Sequence, residues 1–174
     1  MAQQTIIIAP DPRLRRISKP VDKVDDALRR LMDDMLETMY AAPGIGLSAI
    51  QIGVAKRVIV IDLAKEGEVK KPVHLVNPEL LWASEEKKVS LEGCLSLPDQ
   101  FAEIERPAKI RVRHLDYHGE MRETAADDML ALCIQHEMDH LEGILFVDRL
   151  SSLKRDMILR KLQKAKRLQA KVTA

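Results

Sequence analysis

The run Asp127-Asp128-Met129-Leu130-Ala131-Leu132-Cys133-Ile134-Gln135-His136-Glu137-Met138-Asp139-His140, closed by Leu141-Glu142-Gly143, decides the fold. Asp127 or Asp128 supplies an N-cap, and Gly143 suits the left-handed position just past a helix end. Apolar residues surround most of the segment between them, which predicts a helix buried on nearly every side. The rest of the chain must then provide the layers around it.

Upstream, residues 57–63 contain the β-branched run Val58-Ile59-Val60-Ile61, and residues 109–117 alternate around Ile110 and Val112, so both predict strands. Residues 73–76 and 80–90 are further strand candidates. Leu28, Leu31, Met32, Met35, Leu36, Met39 and Tyr40 recur at helical spacing behind the capping candidates Asp22 and Asp25. That helix should stop at Pro43-Gly44. Helix, several strands, buried helix and final helix make an α+β domain, with mixed or antiparallel strands around the central helix, rather than a doubly wound sheet.

The chain has 174 residues, 46% hydrophobic and 32% charged, which fits one globular domain and excludes a second of full size. The opening residues carry no signal-peptide pattern and no segment is long and apolar enough to span a membrane, so the expected location is cytoplasmic and the expected state monomeric. Two cysteines make no disulfide framework and are to be judged singly. Net charge is +1, which excludes a general polyanion binder, but the charge is uneven. From Ser151 onward eight bases face one acid, a net +7, leaving −6 on the first 150 residues. Residues 1–150 are therefore read as one catalytic domain, and residues 151–174 as a basic amphipathic helix packed on it through Leu153, Met157, Ile158, Leu162, Ala165 and Leu168.

His136-Glu137-Met138-Asp139-His140 is H-E-x-x-H. On a helix its histidines lie one turn apart on one face and can reach one metal ion, while Glu137, rotated about 100° from His136, is placed to act on water at that metal. A catalytic site needs a third protein ligand. The long metzincin pattern would require histidine where Phe146 stands, and no His or Glu follows Glu142; Asp148 and Asp156 remain as carboxylates, but the first lies beyond the helix end and the second on the basic tail, so the ligand is expected upstream. His74, Cys94, His114, His118 and Cys133 are available. Cys133 shares the helix face, but it and His140 are separated by about 10 Å along the axis, so it reads as a small buried apolar residue. The three histidines sit in or beside strands and turns where solvated or hydrogen-bonded histidines are usual. Cys94 lies in Glu92-Gly93-Cys94-Leu95-Ser96-Leu97-Pro98, where Gly93 allows an unusual backbone angle and Pro98 stiffens the exit. Such a loop would present the sulfur and turn the Leu95 N–H to the same space. The residues alone leave Cys94 divided between a ligand and a structural cysteine. They also leave open a zinc peptidase and a non-enzymatic protein whose metal only holds the fold.

Residues Gly44-Ile45-Gly46-Leu47-Ser48-Ala49-Ile50-Gln51-Ile52-Gly53, the segment around Cys94, and Gln135 to Gly143 together resemble the three signature motifs of the peptide deformylases. The chain as a whole resembles the bacterial type that ends in a basic helix. This resemblance implies a metal held by Cys94, His136 and His140, with Glu137 as general base and acid and Gln51 beside the reacting carbonyl. It implies ferrous iron, with nickel, cobalt or zinc as substitutes, and N-formylmethionyl nascent peptides as substrates. Serine at position 48 departs from the alanine usual there. In that reading Gln51 and the Leu95 N–H stabilise the oxyanion, and the Ile45-Gly46-Leu47 stretch pairs with the extended peptide. Ile45, Met129 and Leu132 line the methionine pocket, and the ribosome is the partner that the basic tail meets.

Overall fold

The structure, a computed structural model, describes residues 2–173. The first helix, α1 (Asp26–Ala41), begins where the Asp25 carboxylate accepts from Leu28 N at 2.9 Å, so Asp25 rather than Asp22 is the cap. It ends before Pro43-Gly44, and Gly44 N donates to the Met39 carbonyl at 2.9 Å. Strand β1 (Gly46–Ser48) follows, then a single 3-10 turn, Ala49–Ile52, and strand β2 (Val58–Ile61).

Every residue of β2 is buried because the sheet is covered on both faces. Alternation sends Val58 and Val60 toward α1 and Ile59 and Ile61 toward the central helix, α2 (Asp128–Leu141). Strands β3 (Val73–Ala83), β6 (Lys109–Leu115) and β7 (Met121–Asp127) complete a five-stranded antiparallel sheet in the order β1-β2-β3-β6-β7. A separate antiparallel hairpin, β4 (Lys87–Cys94) and β5 (Leu97–Pro107), closes over α2 from the other side. The fold is thus α+β with antiparallel strands around a buried central helix, as the sequence predicts.

Several boundaries differ from those read in the sequence. Residues 73–76 and 80–90 are not two strands: β3 runs unbroken through Pro78 by means of a register shift, and β4 starts only at Lys87. The sequence pattern does not show strands β1, β5 and β7. Gly143 does hold the left-handed position after α2, with φ 71°, and an added Cβ there would stand 2.4 Å from the Arg15 carbonyl oxygen. Asp127 occupies the cap position of α2, but its side chain makes no capping hydrogen bond.

The last helix, α3 (Ser152–Val172), corrects the expected docking face. Leu162 alone is fully buried, with Ile158 and Leu159 partly so, packed near Leu97, Ile104 and Phe146. Leu153 is 71% exposed, Met157 51% and Leu168 55%, and residues 163–173, Ala165 included, are all exposed. The helix meets the body only through its middle, so its amphipathic stripe continues past the surface it could cover.

Candidate metal centre

Three side chains converge where α2 passes under the turn between β4 and β5. Cys94 ends β4, His136 and His140 stand one turn apart on α2, and one ligand atom from each lies within 4.8 Å of the other two. Cys94 Sγ is 3.2 Å from His140 Nε2. A thiolate with two imidazoles is a donor set for a divalent transition metal. Among the described residues this is the one such group of three.

The sequence places Cys94 by register. Cys94 pairs with Leu97 across a turn of only two residues, Leu95 and Ser96, so the sulfur is fixed by a hairpin rather than by a longer loop. Gly93 is needed for space and not, as the sequence suggested, for an unusual angle: it lies outside the left-handed region, but an added Cβ would stand 2.6 Å from the Phe101 ring.

A buried charge network orients His136. His136 Nδ1 is 2.9 Å from Glu92 Oε2, and Glu92 makes a two-point ion pair with Arg106, itself 1% exposed. Arg106 reaches on to Asp139 Oδ2 at 2.9 Å, and Arg149 grips Asp139 from outside. With Nδ1 bonded to Glu92, the ring presents Nε2 to the cluster. Burial alone would raise the Glu92 carboxyl, but hydrogen bonds from His136 and Arg106 hold it down at about 2. Burial opposes a charge on His136, and the nearby Cys94 sulfur, together with the His136 hydrogen bond to Glu92, overcomes that and pushes its pKa well up. His140 lacks such partners, so burial and the His136 charge push it well down.

Glu137 lies beside the cluster in a different electrostatic setting. Burial pushes its carboxyl up to about 7 against the opposing pull of His136 and the Ser48 hydroxyl. Its Oε2 is buried without a hydrogen-bond partner among the described residues, and Glu137 lines the cleft beside the cluster. The absence of a side chain at Gly46 makes room for it: an added Cβ would stand 2.7 Å from Glu137 Oε1 and 2.9 Å from Cys133 Sγ.

Gln51 arrives from the 3-10 turn. Its Nε2 is 3.1 Å from Ser96 Oγ and 3.5 Å from Cys94 Sγ, and its Oε1 accepts from Ser48 N at 2.9 Å and the Ser48 hydroxyl at 3.0 Å. The cluster opens on a cleft of about 640 Å³. Ile45, Gly46, Leu95, Met129 and Leu132 line it, together with Phe101. Leu47 does not: strand alternation turns it away from Gly46 and buries its side chain between α1 and the sheet.

Cys133 is buried, burial pushes its thiol pKa well up, and it stands outside the Cys94, His136 and His140 group. His114 is satisfied by Thr124 and the backbone, His74 lies against Tyr117, and His118 is exposed. Sequence reasoning missed the supports: Glu92, Arg106, Asp139 and Ser96. The available signal was Glu92 two residues before Cys94, a spacing that puts both on one face of a strand.

The sequence profile described as Polypeptide deformylase matches residues 3–156. The chain belongs to the peptide deformylase family. It is 60% identical over 164 residues to a peptide deformylase of Phenylobacterium zucineum, covering 94% of this chain and 97% of that one. It is also 60% identical over 167 residues to one of Hyphomonas neptunium, covering 95% of each. The crystal structure of a peptide deformylase from Ehrlichia chaffeensis superposes with a TM-score of 0.92 at 41% identity, covering 97% of this chain and 99% of that one. The crystal structure of a peptide deformylase from Ehrlichia chaffeensis in complex with actinonin gives 0.92 at 43% identity, covering 96% of this chain and 99% of that one. The chain is therefore a hydrolase, a metalloenzyme that removes the N-formyl group from N-terminal formylmethionine and releases formate. No described helix is long and apolar enough to cross a membrane.

Proposed function

We propose that Cys94, His136 and His140 hold the metal of this deformylase and that Glu137 moves the protons of the reaction. The observation that carries this reading is a buried carboxylate oxygen without a partner beside a thiol and two imidazoles. The donor set and the orphaned oxygen fit a divalent metal with reacting water nearby. When bound, such an ion supplies Lewis acidity, polarising a carbonyl and acidifying water. Glu137 takes a proton from the attacking water and later returns it to the leaving amine, giving formate and a free N-terminus. The Gln51 amide and the Leu95 N–H donate to the oxygen on which charge develops.

The substrate peptide adds as a strand along β1, which is an edge of the sheet; Ile45, Gly46 and Leu47 contribute backbone there. Ile45, Met129 and Leu132 take the methionine side chain. Ferrous iron is the native ion, with Ni2+, Co2+ or Zn2+ as substitutes, because thiolate and imidazole accept all of these. Residues 1–150 carry this chemistry in one monomeric cytoplasmic unit. Residues 151–174 are the docked basic helix, whose exposed end meets ribosomal RNA phosphates without reading sequence. The test is formate release from a formyl-Met peptide by anaerobic protein loaded in turn with iron, nickel or zinc, beside metal analysis. Highest turnover with iron at about one ion per chain is expected, and turnover independent of added metal in metal-free protein would overturn the reading.

A further inference from the structure

The side chain of Gln51 is held at both ends by serine hydroxyls, and only one of its amide hydrogens is left to face the cluster. Ser96 Oγ lies 3.1 Å from Nε2, while Oε1 receives two donors from Ser48, the backbone N at 2.9 Å and the hydroxyl at 3.0 Å. Ser48, Gln51 and Ser96 are all buried, so no water competes for these positions. A primary amide has two chemically different ends, and their order is fixed only by what surrounds them. The Ser48 backbone N–H, which can only donate, determines it, since rotating the amide would set Nε2 against that N–H; the hydroxyl adds a second hold on the same end. The remaining Nε2 hydrogen then goes to Cys94 Sγ, 3.5 Å away, within the cluster.

We propose that Ser48 is a positioning residue for deformylation, its hydroxyl fixing the direction in which Gln51 donates. The inference rests on the reading of Gln51 as the oxyanion donor. Ser48 lies outside the Cys94, His136 and His140 group; its hydroxyl donates to Gln51 Oε1, and its pull on the Glu137 carboxyl is the competing route that the experiment must separate. An alanine at 48 keeps the backbone donor but loses the hydroxyl, so the amide gains torsional freedom and the donor is correctly aimed for less of the time. One hydrogen bond of this kind corresponds to a loss of about threefold to tenfold.

The experiment is a double-mutant cycle of Ser48→Ala and Gln51→Leu on the metal-loaded full chain, reading kcat, KM and metal content. Ser48→Ala should lower kcat by about threefold to tenfold with KM and bound metal unchanged. In the Gln51→Leu background the same exchange should leave kcat unchanged, since nothing remains for the hydroxyl to aim. Unchanged kcat for Ser48→Ala, beside an impaired Gln51→Leu, would overturn the inference while leaving the role of Gln51 intact. An equal loss in both backgrounds would overturn it too, because Ser48 would then act elsewhere. Full kcat in Gln51→Leu would remove the reading on which it stands.

Discussion

Two cysteines, 39 positions apart in the chain, meet opposite fates at the same cleft. Cys94 ends a strand with its sulfur 3.2 Å from His140 Nε2, whereas Cys133 sits on α2 against Gly46 and outside the Cys94, His136 and His140 group. Helical geometry separates them: a residue three before His136 and seven before His140 cannot reach an ion placed between those two. Cys94→Ala should therefore abolish metal retention and formate release. Cys133→Ala should keep both and cost about 1–2 kcal/mol of stability from a small buried contact. Metal analysis and denaturant unfolding of the two variants check this, and the reverse pattern would exchange their roles. H-E-x-x-H was legible because one helix fixes its geometry. Glu92, Arg106 and Asp139 were not, because their pairing depends on a hairpin register and a helix that meet only in the fold.

At the scale of elements, that charge network ties β4 and β5 to α2. Arg106 is the largest fully buried side chain and satisfies carboxylates from two elements at once, Glu92 of β4 and Asp139 of α2. Removing it leaves Glu92 buried without its cation, so Arg106→Ala should cost about 3–5 kcal/mol in urea unfolding and weaken metal binding. Unchanged stability would mean that the network is incidental. Strand β2 was legible because both its faces are buried and it is wholly β-branched. Strand β5 escaped because its outward face carries charge and its ends carry Pro98 and Pro107; β1, with three residues, is too short to show a period. Pro78 made β3 look like two pieces, since a register shift that lets a strand pass proline leaves no sequence pattern.

Over the whole molecule, charge and catalysis are separated. The cleft belongs to the first 150 residues, which carry −6, while α3 carries a net +7 counted from Ser151. The apolar period of α3 predicted a stripe but could not say how much surface waited to cover it, and only its middle is docked. Deleting residues 163–174 removes Lys164, Lys166, Arg167 and Lys171 while keeping Leu162 in the core. Short-peptide activity should persist, and co-sedimentation with ribosomes should weaken and lose much of its salt sensitivity. Equal, salt-insensitive sedimentation of both forms would reject a ribosome contact through this helix. The proposed chemistry itself is tested most directly by Glu137→Gln, loaded with metal and assayed for formate release from a formyl-Met peptide beside the unchanged protein. The variant should hold the same metal and run slower by about 10² to 10⁴, because the amide keeps the shape but cannot accept the proton. Near-normal turnover by metal-loaded Glu137→Gln would contradict the assignment of Glu137 as the group that moves the proton.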